Sequence, residues 1–431
     1  MNKQVAVIGA GIIGVTTAYE LAALGHEVTV FERRGSVAAE SSYANAGVVA
    51  PGYVTPWASP GMAAKVLRHL FQAHSPVRLV LPGALQQLPW IWHWWRACRP
   101  EVWSANRQAM QRLAHFSRDR LLELTRKLQL EYDQMPGYWV LLRGPQELQS
   151  AQGGLALLRE MGVAHELVDA ARCRQLEPGL QPQTPLLAAI HLPQDGVGNC
   201  RQFAHLLRAE AQRLGARFRF DSTVASITVG RAGAVRPQIT LRGQTEAGAH
   251  QAFDAVVVCA GVEANALLRP IGLKLPLAPV YGYSLTASLR HTDDHITPGP
   301  RAAVMDERYK VAISRLGQRI RVAGSAELGG RADRMAPEAF RTLYRVLDDW
   351  FPGAAVTREA QHWKGARPML PDGPPVLGES DGDGSNGVWL NLGHGSSGWA
   401  LACGSARVLA ERISGRDAPL DTSRLSLSRI R

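Results

Sequence analysis

Cysteine is scarce and scattered in this 431-residue chain. The five cysteines stand at positions 98, 173, 200, 259 and 403, and no two of them form a CxxC pair. This pattern argues against a disulfide framework or a structural zinc site and fits a reducing compartment, so a cytoplasmic location is expected. Long apolar runs are missing as well, since no uncharged stretch of about 18 apolar residues could span a bilayer.

Acidic residues are too few to balance the basic ones, most of which are arginines. The formal net charge is +11 at pH 7. Such an excess suits an anionic partner, for example a membrane surface, an acidic substrate or nucleic acid. The chain has no basic tail and no recognisable nucleic-acid-binding module, so nucleic acid is not an expected partner.

Motifs for several reaction classes are also absent. The sequence contains no HExxH zinc motif, no GxSxG nucleophile elbow and no paired-carboxylate signature. It therefore predicts no metal ion and no catalytic triad.

A glycine-rich junction stands near the start of the chain. Residues 5–8 form a short apolar run without a polar face, as expected of a buried parallel strand. Glycines at GxGxxG spacing follow, and a helix-period segment then runs up to Gly25. The glycines permit a tight turn, close approach to a pyrophosphate and close helix–strand packing. The candidate phosphate-binding residues are Gly9, Ala10, Gly11, Ile12, Ile13 and Gly14.

A second apolar strand, residues 28–31, ends in Glu32, which Arg33 follows. A carboxylate in this place can accept hydrogen bonds from both hydroxyls of an adenosine ribose. The order strand, glycines, helix, strand and acid predicts a dinucleotide site but does not separate NAD from FAD. The alternative is a glycine-rich turn in an α/β fold that binds nothing.

Three later segments extend this pattern. Small residues at 41–53 would let backbone pass close to a flat polar ring, although a plain surface loop is the alternative. A buried strand at 254–258 is predicted to lie beside the first strand and leads to Gly261. A last buried strand at 388–392 enters the glycine-rich segment 393–398, where free amides and a helix start can face an anion. Between them, strands at hairpin spacing in 275–350 predict an antiparallel sheet.

Several stretches carry a family resemblance. They include Glu40-Ser-Ser-Tyr-Ala-Asn-Ala-Gly47, Gly282-Tyr-Ser-Leu-Thr286, Asp306-Glu-Arg-Tyr-Lys-Val-Ala-Ile-Ser-Arg315, Ala366-Arg-Pro-Met-Leu-Pro-Asp-Gly373 and Leu392-Gly-His-Gly-Ser-Ser-Gly-Trp399. Together they resemble the D-amino-acid dehydrogenase small-subunit family, within the FAD-dependent D-amino-acid oxidase superfamily. The resemblance runs along nearly the whole chain and implies FAD rather than NAD. Members with covalent flavin carry a cysteine in the segment that matches 366–373, and this chain has none, so non-covalent FAD is expected.

The fold that this resemblance implies is α/β. A Rossmann-like FAD-binding domain with a parallel sheet is expected to interleave with an α+β substrate domain built on an antiparallel sheet. The FAD-binding domain is expected to comprise residues 1–60, 195–275 and 360–431. The substrate domain is expected at 61–194 and 276–359, with a helical excursion at 62–135.

The resemblance also implies the flavin contacts. Val224 is among them because the corresponding valine of superfamily members touches the adenine through its main chain. Besides the six residues of the glycine-rich junction, the expected contacts are Glu32, Arg33, Ser41, Ser42, Asn45, Ala46, Gly47, Val224, Ala260, Gly261, Gly393, His394, Gly395 and Gly398.

The implied activity is oxidative deamination of a small D-amino acid such as D-alanine, with hydride transfer from Cα to flavin N5. Arg367 or Arg315 is the candidate for holding the substrate carboxylate. Tyr309 is the candidate lid, and His394 is the candidate for the flavin edge or the substrate amine. For each of them, a structural salt bridge or a buried hydrogen bond is the alternative.

Other activities remain open at this point. The same flavin site could act on glycine, sarcosine or a D-proline derivative, or the chain could be a non-catalytic FAD-binding scaffold. The electron acceptor is expected to be a quinone or another respiratory carrier, with dioxygen as the alternative.

Tryptophans and arginines are mixed in residues 88–99. Trp90 and Trp94, like Ile91 and Trp95, share helix faces at i, i+4 spacing. This mixture suits a membrane interface and a peripheral position on the inner face of the cell membrane. The alternative, an aromatic helix packed into the core, is favoured.

Overall fold

The computed structural model describes residues 2–69, 74–229, 236–243, 250–290, 299–380 and 386–430. Within these residues the strands are β1 (Gln4–Ile8), β2 (Glu27–Phe31), β3 (Val48–Val49), β4 (Val77–Leu79), β5 (Met135–Leu142), β6 (Glu166–Asp169), β7 (Ala188–Val197), β8 (Arg217–Arg219), β9 (Val224–Thr228), β10 (Gln238–Leu241), β11 (His250–Ala252), β12 (Ala255–Val258), β13 (Ala278–Ser288), β14 (Ala303–Asp306), β15 (Val311–Leu316), β16 (Arg319–Leu328), β17 (Gln361–Met369), β18 (Val376–Glu379) and β19 (Val388–Leu392).

The α-helices connect these strands and cover the sheets that they form. They are α1 (Ile12–Ala23), α2 (Met62–His69), α3 (Gly83–Gln86), α4 (Leu88–Ala97), α5 (Pro100–Leu128), α6 (Pro145–Glu160), α7 (Ala170–Leu176), α8 (Cys200–Arg213), α9 (Ala264–Leu268), α10 (Pro337–Trp350) and α11 (Gly398–Ile413).

A six-stranded sheet in the order β18-β19-β12-β1-β2-β8 forms the first layer. All its neighbours are parallel except β18, which runs antiparallel to β19. Alternate residues of β1 enter two different cores: Val5 and Val7 pack under the helices, whereas Ala6 and Ile8 pack on the other side. The prediction of a strand buried on both faces is therefore confirmed, and so is the Rossmann-like parallel sheet.

A ten-stranded, mostly antiparallel sheet forms the second layer. Its main path is β17-β13-β16-β15-β14-β5-β7-β3, with β4 paired to β16 and β6 paired to β7. The hairpin strands predicted between residues 275 and 350 form its centre, as β13 to β16. A separate three-stranded sheet, β11-β10-β9, lies beside the first layer.

The two faces of the ten-stranded sheet have different surroundings. On one face Tyr283, Ile313 and Val322 pack under Leu343 and Val346 of α10 in one apolar cluster. Because side chains alternate along a strand, residues such as Gly282 and Ser284 point to the opposite face. We call the side of the sheet that packs under α10 the α10 face. The opposite side meets residues 41–47, and we call it the loop face.

Three strands differ from what the sequence indicates. Residues 361–369 form β17, which pairs with β13 in the ten-stranded sheet rather than joining the parallel one. The segment Asp195-Gly-Val-Gly-Asn199, whose composition is typical of a turn, is in part strand, because β7 continues to Val197. The alternating run 216–229 splits into β8 and β9 of two different sheets. Sheet membership depends on which edge a strand meets in space, and local alternation carries no information about that edge. The domain division by residue number therefore stays a prediction.

The helical excursion predicted at 62–135 contains α2 to α5, and residues 70–73 of it lie outside the described residues. In α4, Trp90 is buried, and its Nε1 donates a 3.0 Å hydrogen bond to the carbonyl of Met369. Trp94 is partly buried and packs against the apolar cluster that contains Trp90 and Met369. The solvent-exposed rings are instead Trp92 and Trp95, so assigning Trp90 and Trp94 to a membrane face is wrong.

We expect Gly14→Ala to disrupt the first layer. An added Cβ at position 14 would overlap the carbonyl oxygen of Gly9, a backbone atom that cannot move aside. The variant should lose roughly 3 kcal/mol or more of unfolding free energy. Gly153→Ala is the matched control, because an added Cβ in this position of α6 meets nothing within 4 Å. It should be neutral or stabilise by up to about 1 kcal/mol. Thermal melts of the two variants check this, and equal melting temperatures would contradict the close packing.

Candidate active site

The glycine-rich junction joins β1 to α1. Gly9 has φ +101°, and an added Cβ would lie 2.7 Å from the carbonyl oxygen of Cys259. Helix α1 starts at Ile12 with Gly11 as N-cap and no side-chain cap, although Ser42 Oγ accepts a 3.0 Å hydrogen bond from the Ile12 amide. The positive end of the helix is thus left for an anion, and the residues fit a bound pyrophosphate.

Glu32 directly follows β2 and faces this junction. Its carboxylate accepts hydrogen bonds from the backbone amides of Ala10 (2.7 Å) and Arg34 (2.8 Å). The acid is thus held next to the helix start, as a ribose-binding residue needs to be. Arg33 is engaged elsewhere, since it forms ion pairs with Glu40 (2.6 Å) and Glu263 (3.6 Å).

The loop 41–47 connects the two layers. Ser41 Oγ donates to the carbonyl of Ala366 on β17 (2.6 Å), and Ser284 Oγ donates to the carbonyl of Ala44 (2.7 Å). Arg321 Nη1 donates to the carbonyl of Asn45 (3.0 Å). The loop therefore runs from the start of α1, at Ser42, onto the loop face of the ten-stranded sheet.

The remaining predicted contacts lie near the same junction. Ala260 and Gly261 follow β12, whose neighbour in the sheet is β1. Val224 begins β9 and packs in one cluster with Ile8 and Val258. The structure thus places these residues at the carboxyl ends of the central parallel strands, where ligands of open α/β sheets bind.

The glycine-rich segment 393–398 lies against the end of β17. His394 bridges to Met369, and an added Cβ at Gly395 would lie 2.5 Å from Met369 Sδ. Helix α11 starts at Gly398 without a side-chain cap. The backbone of this segment is therefore close to the strand that carries Arg367.

The side chain of His394 is turned towards α11. The ring is 3% exposed, and its Nε2 lies 2.9 Å from Ser405 Oγ inside α11. Burial lowers the pKa of His394 to about 3, so the ring is neutral. The ring therefore packs against α11 in the core, and its role at the flavin edge or the substrate amine stays a prediction.

Arg367 is brought to the loop face. Its Nη1 donates to the carbonyl of Ser325 (2.8 Å), and its guanidinium lies 5.6 Å from the ring centre of Trp57. An added Cβ at Gly282 would overlap the guanidinium, so only glycine leaves room for it. Burial lowers the pKa of Arg367 to about 10, and none of the ion pairs among the described residues involves it. A partly buried cation without an acid suits an anionic ligand.

The two other predicted substrate residues lie on the α10 face. Tyr309 packs on the cluster under α10, with the guanidinium of Arg345 5.5 Å from its ring centre. Arg315 is paired in register with the buried Ile320 of that cluster, and its Nε donates to the carbonyl of Gly317. The sheet separates both side chains from Arg367, so the structure does not bring the three together, and the roles of Tyr309 as lid and Arg315 as carboxylate ligand stay predictions.

Three residues around Arg367 are not among the site residues that the sequence predicts. Gly282, Ser325 and Trp57 shape the space around the guanidinium. Gly282 belongs to a motif that carries the family resemblance, but nothing in the sequence links it to Arg367. Among the described residues no group of three or more His, Cys, Asp or Glu side chains is arranged to hold a metal ion.

The fold and this site define a protein of the dinucleotide-binding α/β class with a second, mostly antiparallel sheet. The sequence model described as "FAD dependent oxidoreductase" (DAO) matches residues 4–412. D-amino acid dehydrogenase of Cereibacter sphaeroides is 41% identical over 428 residues, with 99% of this chain and 95% of the relative covered. D-amino acid dehydrogenase of Rhodopseudomonas palustris is 40% identical over 432 residues, covering 99% and 97%.

Solved structures share the fold. Glycine oxidase from Geobacillus kaustophilus has a TM-score of 0.75 at 21% identity, covering 99% of each chain. L-proline dehydrogenase from P. horikoshii has a TM-score of 0.72 at 17% identity, covering 99% and 96%. The chain belongs to the FAD-dependent oxidoreductase family of D-amino-acid oxidase type, and its cofactor is FAD.

The buried His394 predicts an acid-sensitive fold. Its pKa is lowered to about 3 in the folded chain and is about 6.5 when unfolded, so protons favour the unfolded state as the pH falls below 6.5. Between pH 7.5 and pH 5 the wild type should lose about 2 kcal/mol relative to His394→Gln, whose amide can keep the bond to Ser405. Denaturant unfolding at both pH values measures this. The exposed control His93→Gln should behave as the wild type, and parallel pH profiles for all three proteins would refute the assignment.

Proposed function

We propose that this protein catalyses the FAD-dependent oxidative deamination of small D-amino acids to 2-oxo acids and ammonia. The observation that carries the proposal is the partly buried guanidinium of Arg367 on the loop face, which has no acid partner among the described residues and lies between loop 41–47 and segment 393–398. The relatives named D-amino acid dehydrogenase, at about 40% identity over nearly the full chain, support the same substrate class.

We assign the flavin to the seam between the two layers. The pyrophosphate would lie at Gly9 to Gly14, the adenosine near Glu32 and Val224, and the ring between loop 41–47 and segment 393–398. The absence of cysteine from residues 366–373 supports non-covalent attachment. Acid precipitation should therefore release all of the yellow colour into the supernatant.

Arg367 would hold the substrate carboxylate in a two-pronged hydrogen bond, which fixes the pose of Cα. The Ser325 carbonyl and the Trp57 ring orient the guanidinium, and Gly282 leaves room for it. The bound FAD supplies the hydride acceptor for the Cα–H bond. We assign no side-chain base, since the neutral His394 ring is turned into α11. The amine would enter in its neutral form and become an imine that water hydrolyses.

Anaerobic reduction tests the proposed activity. D-Alanine should bleach the flavin absorbance near 450 nm, whereas L-alanine should leave it oxidised. Bleaching by glycine or sarcosine but not by D-alanine would instead indicate the alternative substrate class on the same fold. A yellow protein that no amine reduces would indicate a non-catalytic FAD-binding scaffold.

Removal of the proposed carboxylate ligand gives a second test. Arg367→Met should lower the second-order rate constant of flavin reduction by D-alanine roughly 100-fold. This loss corresponds to about 3 kcal/mol of binding free energy, because a charged hydrogen bond to the carboxylate is removed. Arg315→Met is the matched control, since Arg315 lies on the α10 face. Stopped-flow reduction measures both variants. Equal rates for wild type and Arg367→Met would remove the assignment.

We propose further that electrons pass to a carrier in an anionic membrane, on its cytoplasmic side. Leu88, Trp92 and Trp95 share one face of α4, and with Leu85 they form an exposed apolar patch. No Asp or Glu occurs from residue 41 to residue 100, whereas Lys65, Arg68, Arg78, Arg96 and Arg99 do. Apolar rings beside cations suit anionic lipid headgroups. Among the described residues, no helix has both the length and the apolar character required to traverse a bilayer.

Vesicle binding checks this contact. The double variant Trp92→Ser/Trp95→Ser should pellet about tenfold less with phosphatidylglycerol vesicles, because the buried apolar area falls. Its flavin reduction by D-alanine in solution should be unchanged. The control Leu122→Ser/Leu214→Ser removes exposed leucines from α5 and from the end of α8. If both double variants pellet as the wild type does, the patch is not the membrane contact.

A further inference from the structure

A second arginine of the loop face is buried without an acid partner. Arg321 on β16 is 7% exposed, and its Nε donates to Thr286 Oγ1 (2.9 Å) while its Nη1 donates to the carbonyl of Asn45 (3.0 Å). None of the ion pairs among the described residues includes Arg321. Arg319, two residues earlier on the same strand, is half-exposed and pairs with Asp133 at 3.2 Å.

Burial of an unpaired cation is unfavourable, and the structure shows that cost. Burial, together with the nearby Arg319, lowers the pKa of Arg321 to about 10, yet the side chain stays charged at neutral pH. An apolar residue of similar length would avoid this penalty if the position only filled the core. The charge must therefore have a use that neither packing nor an ion pair explains.

The contacts of Arg321 point to that use. Its partner Asn45 is held again through its own side chain, because Oδ1 accepts a 3.0 Å hydrogen bond from the Gly47 amide. The Gly47 backbone is confined in turn, since its carbonyl accepts from the Gly198 amide (2.8 Å). Arg321 thus helps to fix the backbone of residues 45–47, which we assign as a contact of the flavin ring.

We propose that Arg321 is a positioning residue for the flavin, which orients the Asn45 carbonyl and places an uncompensated positive charge beside the ring. This inference rests on the flavin site assigned under the proposed function. A fixed cation beside a group that gains negative charge on reduction favours the reduced form. Arg321 would therefore both tighten FAD binding and raise the midpoint potential of the bound flavin.

Two conservative variants separate the charge from the hydrogen bonds. Arg321→Gln removes the charge but keeps an amide donor, and Arg321→Lys keeps the charge but loses the forked geometry. Arg319→Met is the matched control on the same strand. The readouts are the FAD dissociation constant of the apoprotein, from flavin fluorescence, and the midpoint potential, from slow enzymatic reduction against a reference dye.

We expect Arg321→Gln to weaken FAD binding about tenfold and to lower the midpoint potential. Arg321→Lys should also bind FAD more weakly but keep a potential near that of the wild type. Arg319→Met should match the wild type in both. If Arg321→Gln does not accumulate, Arg321→Lys decides alone: weaker binding at an unchanged potential supports the proposal, and any other combination contradicts it.

The inference is overturned if Arg321→Gln keeps the affinity and the potential of the wild type, or if Arg321→Lys lowers the potential as much as Arg321→Gln. It is also overturned if the variants only melt earlier, by the same amount with and without FAD. Failure of the wild type to bind FAD or to be reduced by D-alanine would instead contradict the proposed function. The two failures are therefore distinguishable.

Discussion

The hydrogen bonds that tie loop 41–47 to the ten-stranded sheet are the constraint on which the site depends. Ser41, Ser284 and Arg321 each engage one backbone carbonyl across the seam between the two layers. At its other side the loop meets the start of α1 through Ser42. Because hydrogen bonds join the same short loop to both layers, the loop fixes the start of α1 relative to the loop face, where the proposed phosphate and substrate sites lie.

Buried and partly buried cations divide into two kinds in this structure. Arg120 pairs with the fully buried Glu20 at 2.7 Å, and Lys364 pairs with Glu327 at 2.7 Å, so these charges are neutralised within the protein. Within the described part of the chain, the hydrogen-bond partners of Arg367 and Arg321 are carbonyl and hydroxyl oxygens. A carbonyl orients a guanidinium without cancelling its charge, so both arginines remain available to an anion. Both lie on the loop face, where the flavin and the substrate are assigned.

Helix α4 packs on the protein with one side and leaves its other side exposed. Trp90 supports the segment after Arg367 through its bond to the Met369 carbonyl, while Trp92 and Trp95 remain outside. A single short helix thus connects the exposed apolar patch with the strand that carries Arg367. The proposed membrane contact on α4 and the proposed carboxylate site on β17 are therefore connected directly, since Trp90 of α4 bonds to Met369 of β17.

The sequence alone determined the parts that depend on local pattern. The GxGxxG spacing, the acid after β2 and the hairpin strands predicted the two kinds of sheet, because glycine geometry and strand periodicity are written over a few neighbouring residues. Only the tertiary structure decided which face each side chain occupies. Arg315 and Arg367 look equivalent in the sequence, yet the register of β15 and β17 puts them on opposite sides of one sheet. The same applies to His394, since its glycine-rich surroundings describe the backbone and not the direction of the ring. A shift of one residue in register reverses every side chain, and long-range pairing, which fixes that register, leaves no local trace.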